Sequence, residues 1–174
     1  MIIKIKDFEE YGFTITWTLL YFGYRSESIF NDYLNATDII CYAINKLDDE
    51  KCNNKWIYEL AGENEENTEN ISNLLLKLSN SEKINKEIEL KKWTVIIVAK
   101  ELSVKNNNYI DGLIHMGDIW SKLGYPKDSP HIFQGINNKI SPREYYTKEN
   151  YEYLYQKHLL WLNKEIIYIK NRQT

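Results

Sequence analysis

Residues 84–104, INKEIELKKWTVIIVAKELSV, constrain the fold more than any other stretch. They contain no glycine or proline, and they gather Ile88, Leu90, Trp93, Val95, Ile96, Ile97, Val98, Ala99 and Leu102. The block TVIIV alone suits a buried strand equally well, because a short apolar run does not separate the two. Helix formers continue it on both sides, EIELKK before and AKEL after, well beyond strand length. The segment therefore reads as one helix. Being apolar on nearly every side, it belongs in the interior. Trp93 is its centre, and the other segments are expected to pack around it.

Those segments repeat helical spacing. Thr14 or Thr16 can cap a short helix presenting Trp17, Leu20 and Tyr21, with Gly23 as its stop. Asn35 or Thr37 caps LNATDIICYAINKL, whose stripe is Ile40, Ala43, Ile44 and Leu47. Lys55–Ala61 turns Trp56, Ile57 and Leu60 inward and ends at Gly62. Thr68 caps a helix carrying Ile71, Leu74, Leu75 and Leu78. After Asn106–Asn108, a helix offers Ile110, Leu113, Ile114, Ile119, Trp120 and Leu123 to the core and stops at Gly124. Its internal Gly112 and Gly117 lower local propensity and suit close helix contact. A last helix buries Tyr151, Tyr155, Leu159, Leu162, Ile166 and Ile169. The start, IIKIK, alternates and permits a short strand. The expected fold is all-α: one domain over residues 1–174, a bundle of six or seven helices around the segment near 84–104. All three prolines fall in 126–145, a long loop of the kind that carries function in compact domains.

Charge is uneven along the chain. Residues 1–80 hold 14 acidic and 7 basic side chains, a balance of −7; residues 81–174 hold 11 and 15, a balance of +4. Such a chain lacks the basic field that direct nucleic-acid binding requires, but it permits an acidic face for a basic partner. No run approaches the roughly 20 apolar residues of a membrane span, and the acidic start is unlike a signal peptide. Cys41 and Cys52 are too few and too separated for a disulfide framework or zinc site. The expectation is a reduced, cytoplasmic protein without membrane association.

Motifs that would announce chemistry are missing. His115, His131 and His158 stand apart from one another and from cysteine, so no metal site and no catalytic set is assigned. The seven glycines are scattered singly, without a phosphate loop, and no cofactor is expected. Cys41, mid-helix, reads as a buried inert thiol. Asp48-Asp49-Glu50 reads as a solvated helix end.

Two surface features remain. Glu63, Glu65, Glu66 and Glu69 place four carboxylates in seven residues with no base among them. This is a solvated connection or an acidic docking surface. Around the last loop, Tyr145, Tyr146 and Tyr153 accompany Tyr151 and Tyr155, and they cannot all share one buried stripe. Exposed tyrosine suits a protein interface.

The succession ITWTLLYFGY, ATDIICYAI, ELAG, Lys92-Trp93 and DIWSKLGYP resembles the bacterial family numbered 2247 among domains of unknown function, over about residues 14–165. Proteins similar to this occur beside polymorphic or contact-dependent toxins, where small acidic partners act as immunity proteins. The resemblance thus implies a non-enzymatic immunity protein that binds a cognate toxin domain. The partner surface would be basic, and its contacts would be Glu63, Glu65, Glu66, Glu69, Tyr145, Tyr146 and Tyr153. A helical interaction module unrelated to toxins is the alternative, with an enzyme of unrecognised site behind it.

Overall fold

The computed structural model describes residues 1–25, 28–48, 53–104 and 106–173. Among these the chain forms nine helices and no strand: α1 (Ile5–Glu10), α2 (Trp17–Tyr24), α3 (Ala36–Leu47), α4 (Lys55–Ala61), α5 (Thr68–Ser81), α6 (Lys86–Ser103), α7 (Tyr109–Lys122), α8 (Pro142–Tyr145) and α9 (Lys148–Lys170). The seven longest match the seven segments read from spacing; α1 and α8 are short additions. The alternation at the start makes no strand. Ile5 instead begins α1, where the Asp7 carboxylate accepts the Lys4 backbone N–H at 2.6 Å. Asp49, Glu50 and Cys52 lie outside the described residues.

Two compact units are distinguished. The N-terminal unit comprises residues 2–96 and the tail from Ile169; the C-terminal unit comprises Ile97–Tyr168 and Met1.

In the N-terminal unit α2 packs on α5, and α4 packs on α3 and α5. Trp93 is fully buried. Its indole N–H donates to the Leu19 carbonyl at 2.9 Å. Phe8 meets the ring edge-on at 4.8 Å, and Phe30 stacks at 5.9 Å. Gly23 does not end α2. It is buried within the helix against the indole, where an added Cβ would come within 2.0 Å of Trp93 Cζ2. A glycine that reads locally as a stop is thus a close-approach site.

The α2 N-terminus is tied by distant residues. Thr16 caps it, accepting Leu19 N–H at 3.0 Å. Glu82 accepts the N–H groups of Trp17 and Thr18, each at 2.8 Å, where an anion suits the positive helix end. Buried Lys92 donates to Glu89 at 2.8 Å and to the Thr14 carbonyl at 2.8 Å, and the Thr16 hydroxyl donates to the other Glu89 oxygen. Burial pushes the Glu89 carboxyl up, against the opposing pull of Lys92 and Thr16.

Helix rotations differ in places from the expected stripes. In α3, capped by Asn35 with Asp38 reciprocating, Ile39, Ile40 and Ala43 are buried while Ile44 is 45% exposed. Cys41 is exposed, not buried. It lies about 200° around the helix from Ile39, on the far side of the stripe. α5 buries Ile71, Leu74, Leu75 and Leu78 as expected.

In the C-terminal unit α7 buries Leu113, Met116, Ile119 and Trp120 and exposes Ile110 and Ile114. Gly112 lies under Tyr151, and a Cβ there would reach within 2.3 Å of the ring. The Trp120 indole N–H donates to His158 Nε2 at 2.7 Å, while His158 Nδ1 bonds the Leu154 carbonyl at 2.6 Å. Both ring nitrogens are used by a neutral tautomer, which is why a histidine can sit fully buried on α9. The buried line of α9 in this unit, Leu154, His158, Leu162 and Glu165, is turned about 60° from the expected stripe. Tyr151, Tyr155, Leu159 and Ile166 are half-buried flanks.

Candidate functional site

The loop after α7 is a built structure. Gly124 and Tyr125 both take left-handed backbone, with φ +74° and +55°. That conformation is strained for tyrosine. The Tyr125 hydroxyl then donates back to Ser121 Oγ at 3.0 Å. Further on, Asn138 closes residues 133–140 upon themselves. Its amide donates to the Phe133 and Ile136 carbonyls at 2.8 and 2.9 Å, and its oxygen accepts from Gly135 and Ile140. Ser141 and Glu144 form a reciprocal capping box that starts α8.

Together with α7, this loop encloses a partly open pocket of about 310 Å³, at the lower end of the range for ligand sites. Leu113, Ile114 and Gly117 of α7 line one wall, with Asp118 and Ser121; Tyr125, Phe133, Tyr145 and Tyr146 supply rings. His131 is buried, and its Nε2 meets the Tyr145 hydroxyl at 3.1 Å. Its Nδ1 is also buried and makes no hydrogen bond among the described residues. Burial pushes the imidazole down to about 4, helped by His158 and Lys157. Burial likewise pushes the Tyr145 phenol up to about 12.

The tyrosines expected at a surface separate into two kinds. Tyr145, 4% exposed, is corrected from a surface contact to a buried wall of this pocket. Tyr146 and Tyr153 are exposed, at 37% and 55%. Tyr146 packs edge-on against Tyr145 in the pocket. Tyr153 stands on α9 under the Lys157 ammonium and does not line the pocket.

The acidic run spans the connection from α4 to α5 and the first turn of α5, and its four carboxylates are not equivalent. Glu65, Glu66 and Glu69 are exposed. Glu63 folds back and accepts from the side chains of Asn70 and Asn67 and from the Asn64 backbone. Those bonds, Asn70 first, hold its carboxyl below the usual carboxylate range. Glu63 therefore organises the loop; Glu65 and Glu66 are exposed on it, and Glu69 is exposed on the first turn of α5.

Sequence reasoning singled out the 126–145 loop but not Asp118, Tyr125, His131 or Phe133. The available signal was a non-glycine residue wedged between Gly124 and Pro126. Among the described residues no group of three or more His, Cys, Asp or Glu is placed to hold a metal ion, and no helix is long and apolar enough to cross a membrane.

Fold and site together define an all-helical protein with an ordered acidic connection and an aromatic pocket. The family model described as uncharacterised protein conserved in bacteria, DUF2247, matches residues 5–166, and the chain belongs to that family. No match to the chain is found among curated proteins or solved structures.

Proposed function

We propose that the protein is an immunity protein, acting in the cytoplasm by binding a cognate toxin domain with a basic surface and neutralising it. The observation that carries this reading is the exposure of Glu65 and Glu66 on a loop that Glu63 and its asparagine partners hold in place, with Glu69 exposed on the first turn of α5 beside it. Carboxylates presented on an ordered loop attract a basic surface without first having to order the chain. Toxins that act on nucleic acids need lysine and arginine for phosphate contacts, so an acidic binder would compete with their substrate.

The test is co-purification with the toxin encoded beside the gene, followed by association rates at two salt concentrations. The Glu65→Gln, Glu66→Gln, Glu69→Gln triple variant keeps Glu63 and hence the loop. It should associate more slowly at low salt and show a flatter salt dependence, because screening shortens electrostatic reach to about 8 Å at physiological strength. An unchanged rate for the triple variant removes the acidic loop from the interface. Exposed Tyr146 and Tyr153 favour the second reading, an interaction module unrelated to toxins, if no adjacent toxin binds.

A further inference from the structure

We propose that the pocket between α7 and the 125–146 segment receives a guanidinium group, the end of an arginine side chain presented by a protein partner. Asp118 brings a carboxyl side chain to the pocket wall. It makes no hydrogen bond or ion pair among the described residues. No lysine or arginine lines the pocket. The other polar walls are uncharged: Ser121, Gln134, the phenols, and His131, which burial keeps neutral. One carboxylate with no cation to answer it, beside four aromatic rings, makes the site attractive to a cation and repellent to an anion.

Ring chemistry narrows the choice. Phe133 is clasped edge-on by Tyr125 at 5.1 Å and by His131 at 4.6 Å, and Tyr146 meets Tyr145 edge-on at 5.1 Å. A guanidinium stacks on such rings and is weakly hydrated, so it gives up little on entering a half-apolar cleft. It can also pair bidentately with a carboxylate such as Asp118. The volume suits one side-chain end and is small for a nucleotide. A hydrated metal ion would find one carboxylate where it needs several oxygen ligands.

The rim argues for a protein-borne group over a free cation. Ile114, Tyr125, Ile136 and Tyr146 all line the pocket and all remain exposed. An apolar and aromatic rim around an arginine socket is the arrangement of an interface anchor. Tyr125 holds its place on that rim with left-handed backbone, φ +55°. The inference does not depend on the partner being a toxin, and it concerns a site separate from the acidic connection.

The test is an NMR titration of the full chain with the blocked peptide acetyl-Leu-Arg-Leu-amide. Its citrulline counterpart keeps the shape without the charge. The arginine peptide should shift the ring and backbone signals of Tyr125, Phe133 and Tyr146 saturably and bind at least tenfold more tightly than the citrulline peptide. Asp118→Asn, at an exposed position whose side chain has no partner among the described residues, should fold normally and reduce that binding at least fivefold. Equal binding of the two peptides, no shifts at these residues, or undiminished binding in Asp118→Asn would overturn the proposal. So would free guanidinium ion, at matched ionic strength, binding as tightly as the arginine peptide: the site would then take a small cation. Because the titration uses no toxin, it can fail while the toxin reading survives, and the reverse.

Discussion

Gly23 lies against the indole of Trp93, so close that a single methyl group on the glycine would come within 2.0 Å of ring carbon Cζ2. Leu34 donates its N–H to the Gly23 carbonyl at 2.7 Å, which pins the backbone from the other side. The indole, fully buried, is not the free end of a flexible chain. Gly23→Ala should therefore destabilise by about 1–3 kcal/mol or more through overpacking, although alanine is the better helix former. Trp93→Ala should cost on the order of 3–5 kcal/mol. Urea unfolding of both variants and their double mutant checks the relationship. In the Trp93→Ala background the alanine at 23 should cost much less, since the clashing ring is gone. Additive losses would mean that the two residues do not meet.

Lys92 and Glu89 are both buried, paired at 2.8 Å. Lys92→Met leaves the carboxylate without its cation and is expected to cost on the order of 3–5 kcal/mol. Replacing both, with Glu89→Gln and Lys92→Met, should recover a large part of that loss, because no uncompensated charge remains. Chemical denaturation decides it: a double variant less stable than Lys92→Met would show that the pair contributes more than mutual neutralisation.

His131 sets an acid limit on stability. Its folded value, about 4, lies below the ordinary 6.5, so the unfolded chain binds the proton more readily. The stabilisation is present above pH 6.5 and is lost as pH falls through about 4. The slope across that window approaches about 1.4 kcal/mol per pH unit. His158, also lowered by burial, acts in the same direction. Glu89, raised by burial, acts in the opposite one. Comparison with His131→Gln, whose amide can still meet the Tyr145 hydroxyl, isolates the histidine. Unfolding free energy between pH 7 and pH 4.5 should fall less steeply in that variant than in the parent.

Cys41 should behave as an open thiol. In a Cys52→Ser background, a thiol reagent should modify Cys41 in the native protein at a rate close to that of the denatured chain, with little loss of helix. Modification that waits for denaturant would place the sulfur back inside.

Much of the fold was legible because its signals are local. Asn35 with Asp38, Thr16 ahead of Leu19, and Gly62 after α4 each act within one helical turn, so caps and ends follow from neighbouring residues. The spacing of Ile71, Leu74, Leu75 and Leu78 likewise defines both a helix and its buried face. The candidate site was legible only as an unusual loop and a set of tyrosines.

What local signals could not settle was the surroundings of each side chain. Gly23 looks like a stop until Trp93, seventy residues on, is placed against it. Lys92 can be buried only because Glu89 and the Thr14 carbonyl take up its ammonium. His158 can be buried only because Trp120 and the Leu154 carbonyl occupy both of its nitrogens, and that turns α9 away from the stripe of its apolar residues. Tyr145 left the surface because His131 was there to meet its hydroxyl. The sequence by itself determined where the seven longest helices form, since periodicity is a property of a few consecutive residues. Only the tertiary structure decided which face each helix buries and which polar groups go inside, because a charge or a polar atom can leave water only when a partner from elsewhere in the chain replaces it.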